Sequence, residues 1–313
     1  TSEAWGSDAI SSASWVLAQT TKIKVGTGII QMSARTPAMA AMTAMTLQQL
    51  SGDRFILGIG PSGPQVIEGW HGEAYGRPLT RTREYIDIIR KIEARDGPLI
   101  HDGYHYQIPR TGEGTTNLGK PLKGILHSMS PLKIVTGTIA PAGVRVSAEI
   151  ADGMIPVFMN PNRFDVFESA LNDGFEKAGG GKSLDNFFVT PFCAINLLDD
   201  EAAARQPARE NLALYIGGMG ARDKNFYNDY AKRLGHEGAA VEIQDHFLAG
   251  RRAEALASVP DELIDQVALT GPAGKITERL QDWKSASQEN KVHSLLARVN
   301  NSQELQVLAK AVL

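Results

Sequence analysis

The sequence has a single cysteine, Cys193. No disulfide can form within the chain, and no cysteine-based metal site can be built. Cys193 lies in an apolar stretch and reads as a buried structural thiol. Histidine offers no metal site either. The closest pair, His101 and His105, shares a hairpin with Asp102 between them, a spacing at which the rings need not converge. There is no excess of positive charge: the net charge is −3, which leaves no electrostatic footprint for nucleic acid. Lys and Arg are scattered, so no polybasic membrane patch exists. No run approaches the roughly 18 apolar residues of a membrane span, and the N-terminus has no signal-peptide pattern. A cytoplasmic protein is expected. The chain opens on Thr1 and reads as a fragment or a processed form. A G-x-S-x-G elbow and a Walker loop are missing. The dinucleotide fingerprint is missing too, because Gly58-Ile59-Gly60 lacks its third glycine and no helix follows at once.

What is present is an ordinary globular composition, 42% hydrophobic and 21% charged over 313 residues. Strands alternate with helices. Helical spacing predicts helices over Ser7–Thr20 (capped by Ser7), Thr36–Leu50 (Thr36 as cap, Pro37 first), Thr80–Arg95, Pro141–Ala151, Asn162–Ala178, Pro272–Ser287 and Ser302–Leu313. Apolar runs predict strands over Lys22–Ile30, Arg54–Gly60, Leu132–Gly137, Gly153–Phe158, Asn186–Leu198 and Lys291–Val299, with a stub at Thr1–Ala4. Leu99–Ile108 reads as a hairpin turned at Asp102-Gly103. Residues from Glu201 to about Leu269 read as mainly helical, longer than a crossover needs. This order means parallel pairing and an α/β fold. One domain over residues 1–313 is expected, with a helical insert at about 201–269.

In such folds chemistry sits at the C-terminal ends of strands. The segments there are Glu3 to Asp8, Gly26 to Gln31, Gly58 to Pro64 and Thr136 to Gly143, rich in Gly and small hydroxyl residues. Such residues let backbone approach a flat ligand and offer free N–H groups to a phosphate. Thr138 and the amides of Ala142 and Gly143 open a helix and make an anion site plausible, although most helix starts bind only a cap or water. Plainer readings stay open. Gly58-Ile59-Gly60 could be a tight turn, Glu3 and Asp8 could be solvated charges or caps, and Trp5 and Trp70 could be core. Met39, Met42 and Met45 recur at helical spacing and read as core packing.

The ordered runs Lys24-Val25-Gly26-Thr27-Gly28-Ile29, Arg35-Thr36-Pro37-Ala38 and Thr46 through Gly60 (TLQQLSGDRFILGIG) resemble the bacterial luciferase-like family. Arg81–Tyr85, Ala151-Asp152-Gly153 and Thr270-Gly271-Pro272 extend the likeness over essentially the whole chain. Glu3 to Asp8, Glu68 to Gly72 and Tyr215 to Gly220 are similar to motifs of the branch that uses the deazaflavin coenzyme F420.

The resemblance implies a (β/α)8 TIM barrel with a flavin-like ring at the strand ends. It also implies a non-proline cis peptide at Gly28–Ile29 and a cofactor phosphate at the amides around Ala140–Gly143. The cofactor-binding residues on this reading are Gly28, Ile29, Gly60, Ser62, Gly63, Thr138, Ala140, Pro141, Ala142 and Gly143. The family barrel opens with a strand and helix that would precede Glu3, so the chain as given would hold an incomplete barrel. Related dehydrogenases carry a His and a Glu where this sequence has Ala4 and Pro64 or Gln65, and their acid–base pair is not carried over. Glu3, Asp8 and Glu68 are the available carboxylates. Glu3, Trp5 and Asp8 are the catalytic candidates, an acid or Trp orienting or protonating a small-molecule substrate. The implied activity is hydride transfer with F420. The alternatives are an FMN-dependent monooxygenase and a non-catalytic flavin-binding barrel. A homodimer is open, and neither a nucleic-acid nor a membrane partner is expected.

Overall fold

The computed structural model describes residues 1–222 and 224–312. Helix α1 (Ala9–Gln19) starts at Asp8, whose carboxylate accepts the Ser11 N–H at 2.6 Å. Asp8 therefore supplies the cap expected from Ser7. The single strand expected over Lys22–Ile30 is broken into β1 (Val25–Gly26) and β2 (Ile30–Gln31), and the Gly28–Ile29 peptide between them is cis. At the break the buried Thr27 hydroxyl donates to Gly58 O at 2.7 Å and accepts the Gly58 N–H at 2.9 Å. One side chain thus satisfies the two backbone groups of Gly58, which burial would otherwise penalise.

Helix α2 (Pro37–Ser51) has the expected Thr36 cap and ends at Gly52, whose φ of 65° suits a residue without Cβ. Its buried face is Ala40, Ala41, Ala44 and Met45, whereas Met39 and Met42 are exposed. Of the three methionines expected in the core only Met45 is buried; alanines share its face and let the helix approach closely. Trp5 and Trp70 are exposed as well. Strand β3 (Phe55–Gly60) and the short α3 (Pro64–Ile67) lead to α4 (Pro78–Ala94), which begins at a proline in the first position, ahead of Thr80.

Strands β4 (His101–Asp102) and β5 (Gln107–Ile108) pair His101 with Ile108 and Asp102 with Gln107. The loop is thus Gly103–Tyr106 and not a tight Asp102-Gly103 turn. The cause is long-range: the Glu84 carboxylate, from α4, accepts the amides of Tyr104, His105 and Tyr106 at 2.8, 2.9 and 3.0 Å.

Next come β6 (Ile134–Gly137), α5 (Pro141–Ile150), β7 (Gly153–Ile155), α6 (Asp165–Ala178), β8 (Phe188–Val189) and β9 (Phe192–Leu197). The long strand expected over Asn186–Leu198 is interrupted at Thr190-Pro191, since Pro191 has no N–H for a ladder. Helices α7 (Glu201–Gly218), α8 (Phe226–Arg233), α9 (Glu237–Leu248), α10 (Arg252–Ala257) and α11 (Asp261–Val267) form the helical stretch. It ends slightly earlier than expected, because Ala268 already opens a strand, β10 (Ala268–Gly271). Helix α12 (Ala273–Gln288), β11 (Leu296–Arg298) and α13 (Ser302–Val312) complete the order. Leu313, the last residue of the expected closing helix, lies outside the described residues.

The chain divides into two compact units, Thr1–Gly137 with Val146–Gly153, and Thr138–Arg145 with Met154–Leu313. In the first, β3 is central and its neighbours are parallel. It pairs with β1 at Val25↔Phe55, with β2 at Gln31↔Gly60 and with β6 at Gly58↔Val135. Ile30, Leu57, Ile59 and Ile134 from this sheet pack with Ala41, Ala44, Tyr85 and Ile89 from α2 and α4. In the second unit β9 lies between β10 and β11, again parallel, with Ala194 opposite both Ala268 and Arg298. Cys193, on β9, is fully buried, and burial pushes its thiol up to about 12. No helix among the described residues is long and apolar enough to cross a membrane.

Glu84 gives a pH prediction. Burial alone would raise its carboxyl, but the three loop amides hold it below the ordinary value. The folded pKa is depressed, so the contribution is present above the unfolded Glu value of about 4.3 and lost as pH falls through the folded value. Protection of the Tyr104–Tyr106 amides, measured against their intrinsic exchange rates, should fall on acidification below about pH 4, and Glu84→Gln should show that lower protection already at pH 7. Equal protection in both proteins at pH 7 would refute the anchor.

Candidate active site

In the first unit the tips of β2 and β3 carry a polar cluster. Glu3 is almost buried. Its carboxylate accepts the Gln31 N–H at 2.9 Å and the Ala9 N–H at 3.2 Å. The Arg35 guanidinium joins Glu3 to Asp8 by two short ion pairs. For Asp8, burial works against ionisation, but Ser11 and Arg35 outweigh it and hold the carboxyl below its usual range. Glu3 and Asp8 are thus brought together, but as partners of one arginine. Trp5 stands exposed on the same segment.

Beside them the buried Gln31 side chain donates to Ser62 Oγ at 3.1 Å, and its Oε1 lies 2.6 Å from His71 Nε2. Where Gln31 presents Oε1 to the ring, Nε2 is the donor of this bond. Nδ1 has no hydrogen bond among the described residues. Ser62 has a φ of 58°, uncommon for a residue with a Cβ, and its carbonyl accepts the Tyr75 hydroxyl at 3.2 Å. Strain of this kind is held only where neighbours over-determine it. Gly60 and Gly137 make room for Ile29: a Cβ on Gly60 would lie 2.6 Å from Ile29 Cδ1, and one on Gly137 3.1 Å from Ile29 Cγ2. Gly63 stands before the first turn of α3.

In the second unit, Thr138, Ile139 and Ala140 lead into α5 at Pro141. Val144 donates to Ala140 O at 2.9 Å as the first bond of the helix, so the amides of Ala142 and Gly143 have no helical acceptor. The Thr138 hydroxyl lies over Gly143 and occupies the space a Cβ would need there. Arg145 points to Asp173, at 3.0 Å, and not to the loop.

Arg35, Gln31 and His71 are the polar residues that sequence reasoning left without a role. Gln31 and His71 lie in segments already singled out, but their pairing spans forty positions in the chain. The Tyr215–Gly220 motif has a packing explanation. A Cβ on Gly217 would come within 2.5 Å of Phe247 Cβ, and Gly218 faces the same ring, so the two glycines let α9 lie against α7. Among the described residues no group of three or more His, Cys, Asp or Glu side chains could hold a metal ion.

Comparison with known proteins decides the family. The pattern of the luciferase-like monooxygenases matches residues 1–289. The chain belongs to that family. A relative in Mycobacterium tuberculosis, named for coenzyme F420-dependent oxidoreductase activity, is 41% identical over 313 residues, covering 100% of this chain and 89% of its own. A 5,10-methylenetetrahydromethanopterin reductase of Archaeoglobus fulgidus is 25% identical over 94% of this chain and 83% of its own. The structure of the coenzyme F420-dependent tetrahydromethanopterin reductase of Methanopyrus kandleri superposes with a TM-score of 0.76 at 21% identity, covering 99% of this chain and 88% of that one. The luciferase-like protein is therefore an enzyme of the oxidoreductase class, and its α/β fold is the family's TIM barrel.

The Thr138–Gly143 contact is testable by stability alone. Gly143→Ala should cost about 1–3 kcal/mol, the usual penalty for overpacking. Adding Thr138→Ala removes the colliding hydroxyl and should recover most of the loss. Denaturant melts of the two single variants and the double variant decide it. Additive losses would mean that the two residues do not meet.

Proposed function

We propose that this luciferase-like enzyme is a coenzyme F420-dependent oxidoreductase acting on a small organic substrate. The observation that carries the reading is the end-to-end likeness, at 41% identity, to the mycobacterial protein named for F420 dependence. The residues of this chain fit such a cofactor. Gly143 leaves the Thr138 hydroxyl and two helix-start amides free of any side chain, which suits a phosphate. Gly60 and Gly137 keep the space around Ile29 open to one aliphatic side chain. Thr138, Ala140, Pro141, Ala142 and Gly143 are assigned to the phosphate, and Gly28, Ile29, Gly60, Ser62 and Gly63 to the ring.

The bound deazaflavin supplies the hydride chemistry, and the protein supplies orientation and proton handling. His71 is the group best suited to the proton. Its Nε2 is held by Gln31, Gln31 is held by Ser62, and Nδ1 is left to exchange a proton with a substrate heteroatom. Glu3 and Asp8, held by Arg35, set the charge and shape of the neighbouring segment, and Trp5 offers an exposed ring to the substrate.

Fluorescence titration of the purified protein should show tighter binding of F420 than of FMN. Equal or tighter FMN binding would favour the flavin monooxygenase reading, and turnover with no acceptor despite bound F420 would favour a non-catalytic barrel. His71→Gln should leave F420 affinity unchanged yet slow oxidation of the reduced cofactor by carbonyl and imine acceptors by about 10²-fold or more. Parent rates in His71→Gln would remove it from the proton path.

A further inference from the structure

Tyr75 stands in the loop from α3 to α4, on the same stretch of chain as His71. Its half-buried side chain donates the hydroxyl to Ser62 O at 3.2 Å. Burial pushes that hydroxyl above the ordinary tyrosine value, against the pull of the Arg81 charge, so it stays protonated and a donor at neutral pH. The backbone that carries the ring is fixed from both sides. The Tyr75 N–H donates to the Glu68 carboxylate at 3.2 Å. Arg81, from α4, donates to Ala74 O at 2.7 Å and to Tyr75 O at 3.5 Å. The loop bends at Gly72 and Gly76, whose φ values are 68° and 63°. Residues without a Cβ take such angles freely and give a loop freedom unless something ties it down.

A tyrosine hydroxyl on a backbone carbonyl is often no more than a loop brace. The acceptor makes the difference here. Ser62 also receives the Gln31 side chain on its Oγ, at 3.1 Å, and Gln31 Oε1 meets His71 Nε2 at 2.6 Å. The contacts close a circuit: from Ser62 through Gln31 to His71, along the backbone to Tyr75, and back to Ser62. His71 is held from two directions, and both holds end on one residue. That residue has a φ of 58°, which persists only where neighbours over-determine it. The Tyr75 hydroxyl and the Gln31 amide supply two of the contacts that do so. We propose that Tyr75 is a positioning residue for His71: its hydroxyl latches the loop onto Ser62 and thereby sets where the imidazole stands. This rests on the role given to His71 above. Without the hydroxyl, Ser62 and the loop gain freedom and the Gln31 amide loses its fixed acceptor. The imidazole then samples positions from which a proton transfers poorly, since proton transfer needs hydrogen-bond reach and a set orientation.

The test uses Tyr75→Phe, which removes the hydroxyl and keeps the ring. In ligand-free protein the ring-nitrogen NMR signals of His71, assigned by their loss in His71→Gln, should shift in Tyr75→Phe. With saturating F420 and a carbonyl or imine acceptor, kcat should fall by about fivefold to tenfold, the range of one hydrogen bond. In the His71→Gln background the same change should cost nothing further, because no imidazole is left to place. A brace with no bearing on His71 would leave its signals where they are and add its rate loss in full to that of His71→Gln. Unmoved His71 signals therefore overturn the proposal, and so does full additivity. Ser62→Gly, which tolerates the positive φ and removes Oγ, cuts the same circuit at its next link. It stands in if Tyr75→Phe fails to fold, and unmoved His71 signals in it overturn the circuit equally. If the parent protein does not turn over F420, or His71→Gln keeps parent rates, it is the functional reading that fails. The latch is then decided by the ligand-free signals alone.

Discussion

The first unit is organised by β3, and β3 can serve three neighbours only because one side chain repairs a gap in its pairing. Where the chain leaves β1 and has not yet entered β2, the Thr27 hydroxyl takes both backbone groups of Gly58. Ladder bonding resumes at Ile30 and Gln31, now opposite Ile59 and Gly60. The interruption moves β2 toward the C-terminal tip of β3. That brings the Gln31 amide to Glu3 and its side chain to Ser62 and His71. A continuous strand would have kept alternation through this stretch and sent these side chains elsewhere.

Elements governed by local chemistry were legible in the sequence. The Thr36-Pro37 start and Gly52 end of α2, the alternation of strands and helices, and the Gly-rich strand ends need only near neighbours to act. The features that escaped reading depend on partners far along the chain. Glu84 opens a tight turn into a longer loop by collecting its amides. Arg35 converts two acids into an ion-pair cluster. β10 is four residues following directly on a helix, and its pairing with β9 defines it as a strand where its length does not. Met39 and Met42 had the right spacing for core but lost the buried face to alanines.

Two groups of arginines emerge, and the distinction matters for reading other members of the family. Arg35, Arg90 and Arg205 each sit among carboxylates and tie secondary structure together. Their charge is spent internally. Arg54 meets mostly carbonyls, donating to those of Leu17, Ile23 and Ser51, and so fastens α1 and the β1 approach to the end of α2. An arginine's carbonyl contacts alone therefore do not mark a ligand site.

Cys193 is the chain's lone thiol, fully enclosed on the central strand of its sheet, with β10 and β11 to either side. Because burial raises its pKa, almost no thiolate forms at neutral pH. Oxidants and alkylating reagents can therefore reach it only when β9 is released from its neighbours. The rate at which native protein takes up a thiol reagent becomes a clock for opening of the second unit, built into the natural sequence without any added label.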